Sequence, residues 1–168
     1  MFRRFCLCLI VAGPLLNGVG CAATGPRFHK DIVLVATFPD KQNPWLNFDD
    51  PPRDIPGGIK IPVYLADSRS PLGVFGDGTL CVNMYRIDRN SDGEEQPVLV
   101  RQWEFDTQHA HLYGFKERQR VGWGYQLRLN WGDADVLGRE VMFLVSFKRH
   151  DGRIIQARRT FFKVPKKV

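Results

Sequence analysis

From Asp31 onward, apolar residues recur at every second position, the period of a strand whose two faces meet different surroundings. Ile32, Leu34, Ala36 and Phe38 alternate with Val33, Val35 and Thr37. Ile59, Ile61, Val63 and Leu65 alternate with Lys60, Pro62, Tyr64 and Ala66. Pro62 lacks an amide donor, so this strand is expected at a sheet edge or bulged at the proline. Leu80, Val82 and Met84 alternate with Cys81, Asn83 and Tyr85, and Pro97 to Asp106 carries Leu99, Trp103 and Phe105 on one side. Val121, Trp123, Tyr125, Leu127, Leu129 and Trp131 share a face of the clearest strand, and Val141, Phe143, Val145 and Phe147 follow. Asp151-Gly152 is a strong hairpin signal that turns the chain into a last strand, 153–164. The pattern predicts an all-β chain of about seven strands, an antiparallel β-sandwich of immunoglobulin-like or C2-like kind. One short helical turn is expected between Gln108 and Gln119.

The chain begins differently. Arg3 and Arg4 precede an apolar run from Phe5 to Leu16, and the small residues Gly18, Gly20, Cys21, Ala22 and Ala23 close it. A positive start, a short apolar core and a small-residue exit describe a secretory signal peptide. The run is shorter than the roughly 18 to 20 residues that a membrane-spanning helix needs. Expected boundaries are a leader over 1–21, a tether over 22–30 and the sandwich domain over 31–168.

"GVGC" at 18–21 resembles the lipobox of bacterial lipoproteins, in which the cysteine is acylated and becomes the first residue of the mature chain. That resemblance implies lipidation at Cys21. Gly18 stands where the pattern usually has leucine, so cleavage near Ala23 and plain secretion is the alternative. Cys6 and Cys8 would leave with the leader, and Cys81 sits inside a strand, so the domain is expected to rely on its core rather than on a disulfide.

Most of the mature chain also resembles a group of small β-sandwich proteins, often lipoproteins, from planctomycete-type bacteria. The segments are "IKIPVYLAD", "DGTLCVNMYRIDR", "VRQWEFD", "GWGYQLRLNW" and "DGRIIQARRTF". The residues that carry it, Tyr64, Gly78, Tyr85, Trp103, Gly124, Tyr125, Trp131, Asp151 and Gly152, are framework positions. The resemblance implies a fold and an envelope location, and it brings no activity with it.

Candidate chemistry is sparse. Asp88, Asn90 and Asp92 supply oxygens at alternate positions and Gly93 allows a sharp turn, as in the first half of a calcium loop. The twelfth position, where a bidentate glutamate belongs, is Leu99, and a hairpin turn accounts for the same residues. Asp106, His109 and His111 could share a metal only if the histidines lie on one face of a strand. The long connection 39–57 holds five prolines and four aspartates. Loops of that length are often functional, so Trp45, Asp49 and Asp50 are its candidate ligand contacts. No serine lies in a G-x-S-x-G setting and no carboxylate pair is placed by spacing, so no catalytic residue is assigned and no enzyme is expected.

The formal charge is +6, falling to +4 when Arg3 and Arg4 leave with the leader. Nine Lys or Arg face only Glu140 and Asp151 from Arg139 onward. In an exported protein that excess points to anionic lipid or wall polymer, or to an edge strand guarded by Arg158, Arg159 and Lys163, and not to nucleic acid. The expectation is an exported module of the cell envelope, held to the membrane by its N-terminal lipid. It would serve a protein partner, or alternatively bind calcium or glycan through the 39–57 and 88–95 loops.

Overall fold

The structure, a computed structural model, describes residues 27–52, 54–110, 114–115 and 118–167. Cys21, the leader and His111 lie outside the described residues. The elements are β1 (Phe28–His29), β2 (Ile32–Thr37), β3 (Trp45–Leu46), β4 (Gly58–Asp67), β5 (Ser70–Gly76), β6 (Gly78–Arg89), β7 (Glu95–Asp106), α1 (Thr107–Ala110), β8 (Tyr125–Asn130), β9 (Glu140–Arg149), β10 (Ile154–Gln156) and β11 (Thr160–Lys163). Among the described residues no helix is long and apolar enough to cross a membrane.

The chain is an all-β sandwich. One sheet runs β1-β5-β4-β2 with β3 and β8 also on β4, and the other runs β10-β9-β6-β7 with β11 also on β9. β1 pairs with β5 in parallel and the remaining strand pairs are antiparallel. The alternating faces read from the sequence meet between the sheets. Ile59, Ile61, Val63 and Leu65 of β4 pack with Leu80, Val82 and Met84 of β6 and with Val141, Phe143, Val145 and Phe147 of β9, all buried. Removing each such side chain from water contributes roughly 1.5–3 kcal/mol, which makes this seam the main drive to fold.

The strand count exceeds the expected seven because two regions divide. The 39–57 connection contains β3, and the last strand splits into β10 and β11. β10 pairs Gln156 with Ser146, yet β11 pairs Thr160 with Phe143, so one extra residue lies between them. That residue reverses the alternation: Ile155 and Ala157 face the core before it, Phe162 and Val164 after it.

Two further bulges correct the expected faces. The register of β2 shifts between Ile32 and Leu34, so Ile32 and Val35 are buried while Leu34 and Phe38 are exposed. In β7, Met84 opposes Arg101 but Tyr85 opposes Leu99, which leaves Val100 as the extra residue. Leu99 is therefore on the outer face, away from Trp103 and Phe105. A period-two pattern cannot show a bulge, because a one-residue insertion flips every later side chain. Val121, expected on the core face, is 41% exposed, because Gly122 at φ +102° turns the chain before β8 begins at Tyr125.

Pro62 is not at an edge. β4 is the central strand of its sheet, and Pro62 opposes Gln126 of β8. On the other side β3 starts at Trp45 opposite Ile59 and β2 ends at Thr37 opposite Val63. The Lys60 amide donates to the Pro44 carbonyl on that side. Pro62, two residues on, turns its missing donor the same way, into the gap between the two short neighbours. The fold also begins earlier than the expected domain boundary. Phe28 stacks near Phe75 with ring centroids 6.2 Å apart, within the stretch expected to be tether.

Candidate functional site

Strand registers place side chains of the second sheet's outer face in rows. Phe161 opposes Met142, Met142 opposes Tyr85, and Tyr85 opposes Leu99. The four residues form one apolar row across β11, β9, β6 and β7. Phe161 and Leu99, at its two ends, are each 51% exposed. The bulges described above make this row: without them Leu99 and Phe161 would fall on the core side. Leu144 and Asn83 oppose each other in the adjacent row, with Gln102 beyond.

Asn83 gives that row a polar centre. Its amide nitrogen donates to the Tyr85 hydroxyl at 3.3 Å, while its Oδ1 is buried without a partner among the described residues. A buried acceptor left unpaired is costly. Cys81 lies one row further, opposite Glu104 and Ser146. Burial pushes its thiol pKa up, Glu104 adds to the rise and Lys148 opposes it. The thiol stays protonated at neutral pH and is a poor nucleophile.

β7 ends the sheet. Among the described residues no strand pairs with its far side, along twelve residues from Glu95 to Asp106. A free edge of this length is a template for strand addition. Pro97, the bulge at Val100 and the charges of Glu95, Arg101 and Glu104 restrict which partner could add.

The other sequence candidates gather at one end of the sandwich. β4 begins there at Gly58, opposite Asn130, and β6 closes there at Arg89. The 39–57 and 88–95 loops flank the 131–139 turn at that end. Trp45 does not reach out toward a ligand. It packs edge-on against Trp131 at 6.2 Å and Phe162 at 5.8 Å, and so caps the core. Asp49 lines a cleft of about 480 Å³ with Phe48, Ile55, Asp133 and Asp135, and Asp50 is exposed outside it.

Asp88, Asn90 and Asp92 do not converge on a common point. Both Asp88 oxygens accept from the Arg86 guanidinium at 2.8 Å, and this pair holds the Asp88 pKa below the ordinary carboxylate value. Arg86 also donates to the Asp135 carbonyl and carboxylate, at 3.2 and 3.4 Å. The Asn90 side-chain oxygen accepts from the amides of Asp92 and Glu94, at 3.0 and 2.8 Å. These residues build a hairpin and tie it to the 131–139 turn. Among the described residues no group of three or more His, Cys, Asp or Glu could hold a metal ion.

The opposite end, where the chain arrives at Arg27, holds three His–Asp pairs, two of which the spacing of the sequence did not show. His29 bonds Asp67 at 2.6 Å, His150 bonds Asp77 at 2.8 Å, and His109 bonds Asp106 at 3.1 Å. The Asp77 amide donates to the His29 carbonyl and its side chain accepts from Gln108, so the pairs join the turns of both sheets. His109 sits in α1 with its ring on Asp106, and His111, the third candidate of that group, lies outside the described residues.

No family model and no curated protein matches the chain. Among solved structures the chain is similar to the crystal structure of MtrC from Shewanella baltica OS185, at 11% sequence identity and a TM-score of 0.46, over 81% of this chain. The chain spans 23% of the length of that protein.

Proposed function

We propose that this chain is an exported, lipid-anchored β-sandwich module of the bacterial cell envelope that holds a protein partner. The observation that carries the interaction role is the row Phe161–Met142–Tyr85–Leu99, which ends at the free edge of β7. Exposed apolar side chains such as Leu99 and Phe161, joined across the sheet by the buried Met142, mark contact sites. Edge and row together offer main-chain pairing and apolar side-chain contact to one partner strand. Export and anchoring are supported by the leader pattern and by Cys21, which lies six residues before Arg27.

Two measurements test the parts separately. Intact mass of the membrane-extracted protein is expected to show the acyl chains, and Cys21→Ser is expected to lose them; a mass equal to the bare polypeptide defeats the anchor. Photo-crosslinking from position 102, in the adjacent row of the same face, in native membranes is expected to give one discrete adduct. Leu99→Asp with Phe161→Asp should remove it at unchanged melting temperature. An adduct that survives those changes defeats the interaction surface.

A second reading, ligand binding at the loop end, is favoured by the position of the 39–57 and 88–95 loops on either side of the 131–139 turn and by the cleft between Phe48 and Asp135. Titration with envelope oligosaccharides, followed by the melting temperature of wild type and Phe48→Ala, tests it.

A further inference from the structure

The outer face of the first sheet has a different composition from that of the second. Its outward positions on β2, β4 and β8 are the even-numbered ones: Leu34 and Ala36, then Lys60 to Ala66, then Gln126 to Asn130. No carboxylate occupies any of them. Toward the end where the chain arrives, Leu34, Ala36, Phe38 and Tyr64 line an apolar groove of about 120 Å³ with Pro71 and Val121. Phe38 is 60% and Leu34 52% exposed, although both lie in or beside β2 of the first sheet. Phe38 and Phe115 both pack against the Tyr64 ring, with centroids 5.7 and 5.6 Å away.

The same face carries cations at both ends. Lys60 and Arg128 oppose each other directly across β4 and β8, an arrangement that like charges disfavour. Arg128 gains an offsetting contact with the Phe48 ring at 5.8 Å. On the other flank the tight turn 119–122 lifts Arg120 beside Val121, and Arg118 precedes it. Both arginines are exposed, and among the described residues neither has an ion-pair partner. Of the neighbouring carboxylates, Asp40 accepts from the amides of Gln42 and Asn43, and Asp49 belongs to the cleft at the loop end. The second sheet, by contrast, mixes Glu104 and Glu140 with Lys148 and Lys163 on its outer face.

We infer that the outer face of the first sheet lies on an anionic lipid bilayer, with Leu34, Phe38 and Val121 entering the headgroup region and Lys60, Arg118, Arg120 and Arg128 meeting the lipid charge. Exposed apolar side chains beside cations without ion-pair partners are a composition that interfacial binding uses. A protein partner would need a surface of one sign across the whole face. β2 also starts where the chain arrives from Cys21, and Leu34 follows that cysteine by thirteen residues, so an anchored chain would bring this face to the membrane. The inference stands on the face and does not require acylation. It leaves the partner row free on the opposite sheet.

Hydroxyl-radical footprinting reads the side chains directly. The mature protein, as isolated from an expressing bacterium, is compared alone, with phosphatidylcholine vesicles, with vesicles containing phosphatidylglycerol, and with a soluble polyanion. Oxidation of Leu34, Phe38 and Val121 is expected to fall several-fold only with the anionic vesicles, while Leu99 and Phe161 keep their rates. Each cation near an anionic leaflet strengthens binding by roughly fivefold. Arg118→Gln with Arg120→Gln should therefore weaken vesicle affinity roughly twenty-five-fold at unchanged melting temperature. Unchanged oxidation with anionic vesicles overturns the inference. So does equal protection by the soluble polyanion, or protection without lipid that rises with protein concentration, the mark of a second copy. Intact mass reports acylation independently, so loss of the anchor and failure of the face give different results.

Discussion

The Phe161 and Phe162 side chains are adjacent in sequence and sit on opposite faces of β11, the first 51% and the second 9% exposed. Phe162 packs edge-on against Phe143 at 6.0 Å and Trp45 at 5.8 Å, while Phe161 ends the outer apolar row. Their assignment depends on the single extra residue between β10 and β11. Phe162→Ala is expected to cost about 3–5 kcal/mol, the range for removing a core aromatic ring. Phe161→Ala should stay within about 0.5 kcal/mol of wild type, as a surface change. Urea unfolding of the two variants reads both numbers, and reversed costs would show that the register is wrong by one.

Tyr125 joins the two sheets at their shared corner. Its buried hydroxyl accepts from the Gly76 amide at 3.1 Å, just before the chain passes from β5 to β6. Burial pushes its pKa well above the usual phenol value, and the hydrogen bonds to Gly76 and Thr107 offset only part of the rise. A folded value above the unfolded one means stability that is whole below about pH 10 and lost as pH climbs toward the folded value. Alkaline melting curves should show that loss in wild type and not in Tyr125→Phe. At neutral pH the same variant leaves the Gly76 donor unpaired, at a cost of about 1–3 kcal/mol.

Acid acts on the other end. Burial raises the Asp67 pKa, but bonds from His29 and from the amides of Arg69 and Ser70 outweigh it and hold the carboxyl below its ordinary value. Asp77 is held low mainly by His150, against burial, and Asp106 by the Gln108 amide, again against burial. A lowered folded value contributes stability above the ordinary carboxylate value, about pH 4, and loses it as pH falls through the folded one. The melting temperature is expected to drop steeply below pH 4, and Asp67→Asn to start lower and flatten that drop. Parallel acid curves for the two proteins would show that Asp67 titrates unperturbed.

What the sequence makes legible is local alternation. Leu80–Val82–Met84 and Val141–Phe143–Val145–Phe147 read correctly because β6 and β9 keep one face inward at these positions. The readings that fail do so at particular residues. Val33, Val100 and the residues between Gln156 and Thr160 insert into ladders, and no composition signal announces an insertion. Trp45 looked like a loop aromatic because its strand is two residues long and owes its burial to Trp131 and Phe162, which are remote in sequence. The outer row was invisible for the same reason: Tyr85, Leu99, Met142 and Phe161 become neighbours only through three separate registers. Cys21 rests on sequence alone, since it lies outside the described residues.

Calcium offers a last test of how the 88–95 hairpin is held. An ion would need the Asp88 oxygens, which Arg86 already binds as a two-pronged donor. It would also need the Asn90 oxygen, which accepts two backbone amides. Six to eight oxygens must converge for tight calcium binding, and releasing these leaves a guanidinium beside the incoming ion. Millimolar calcium is therefore expected to leave the melting temperature where a chelator leaves it. A rise of several degrees that disappears in Asp88→Asn would show that the carboxylate exchanges Arg86 for the ion. Arg86→Gln separates the two roles of the arginine. It should loosen the hairpin from the 131–139 turn, because the bonds to the Asp135 carbonyl and carboxylate go with the guanidinium. Amide exchange at Asn90 and Glu94 should then rise while the β6–β9 ladder stays protected.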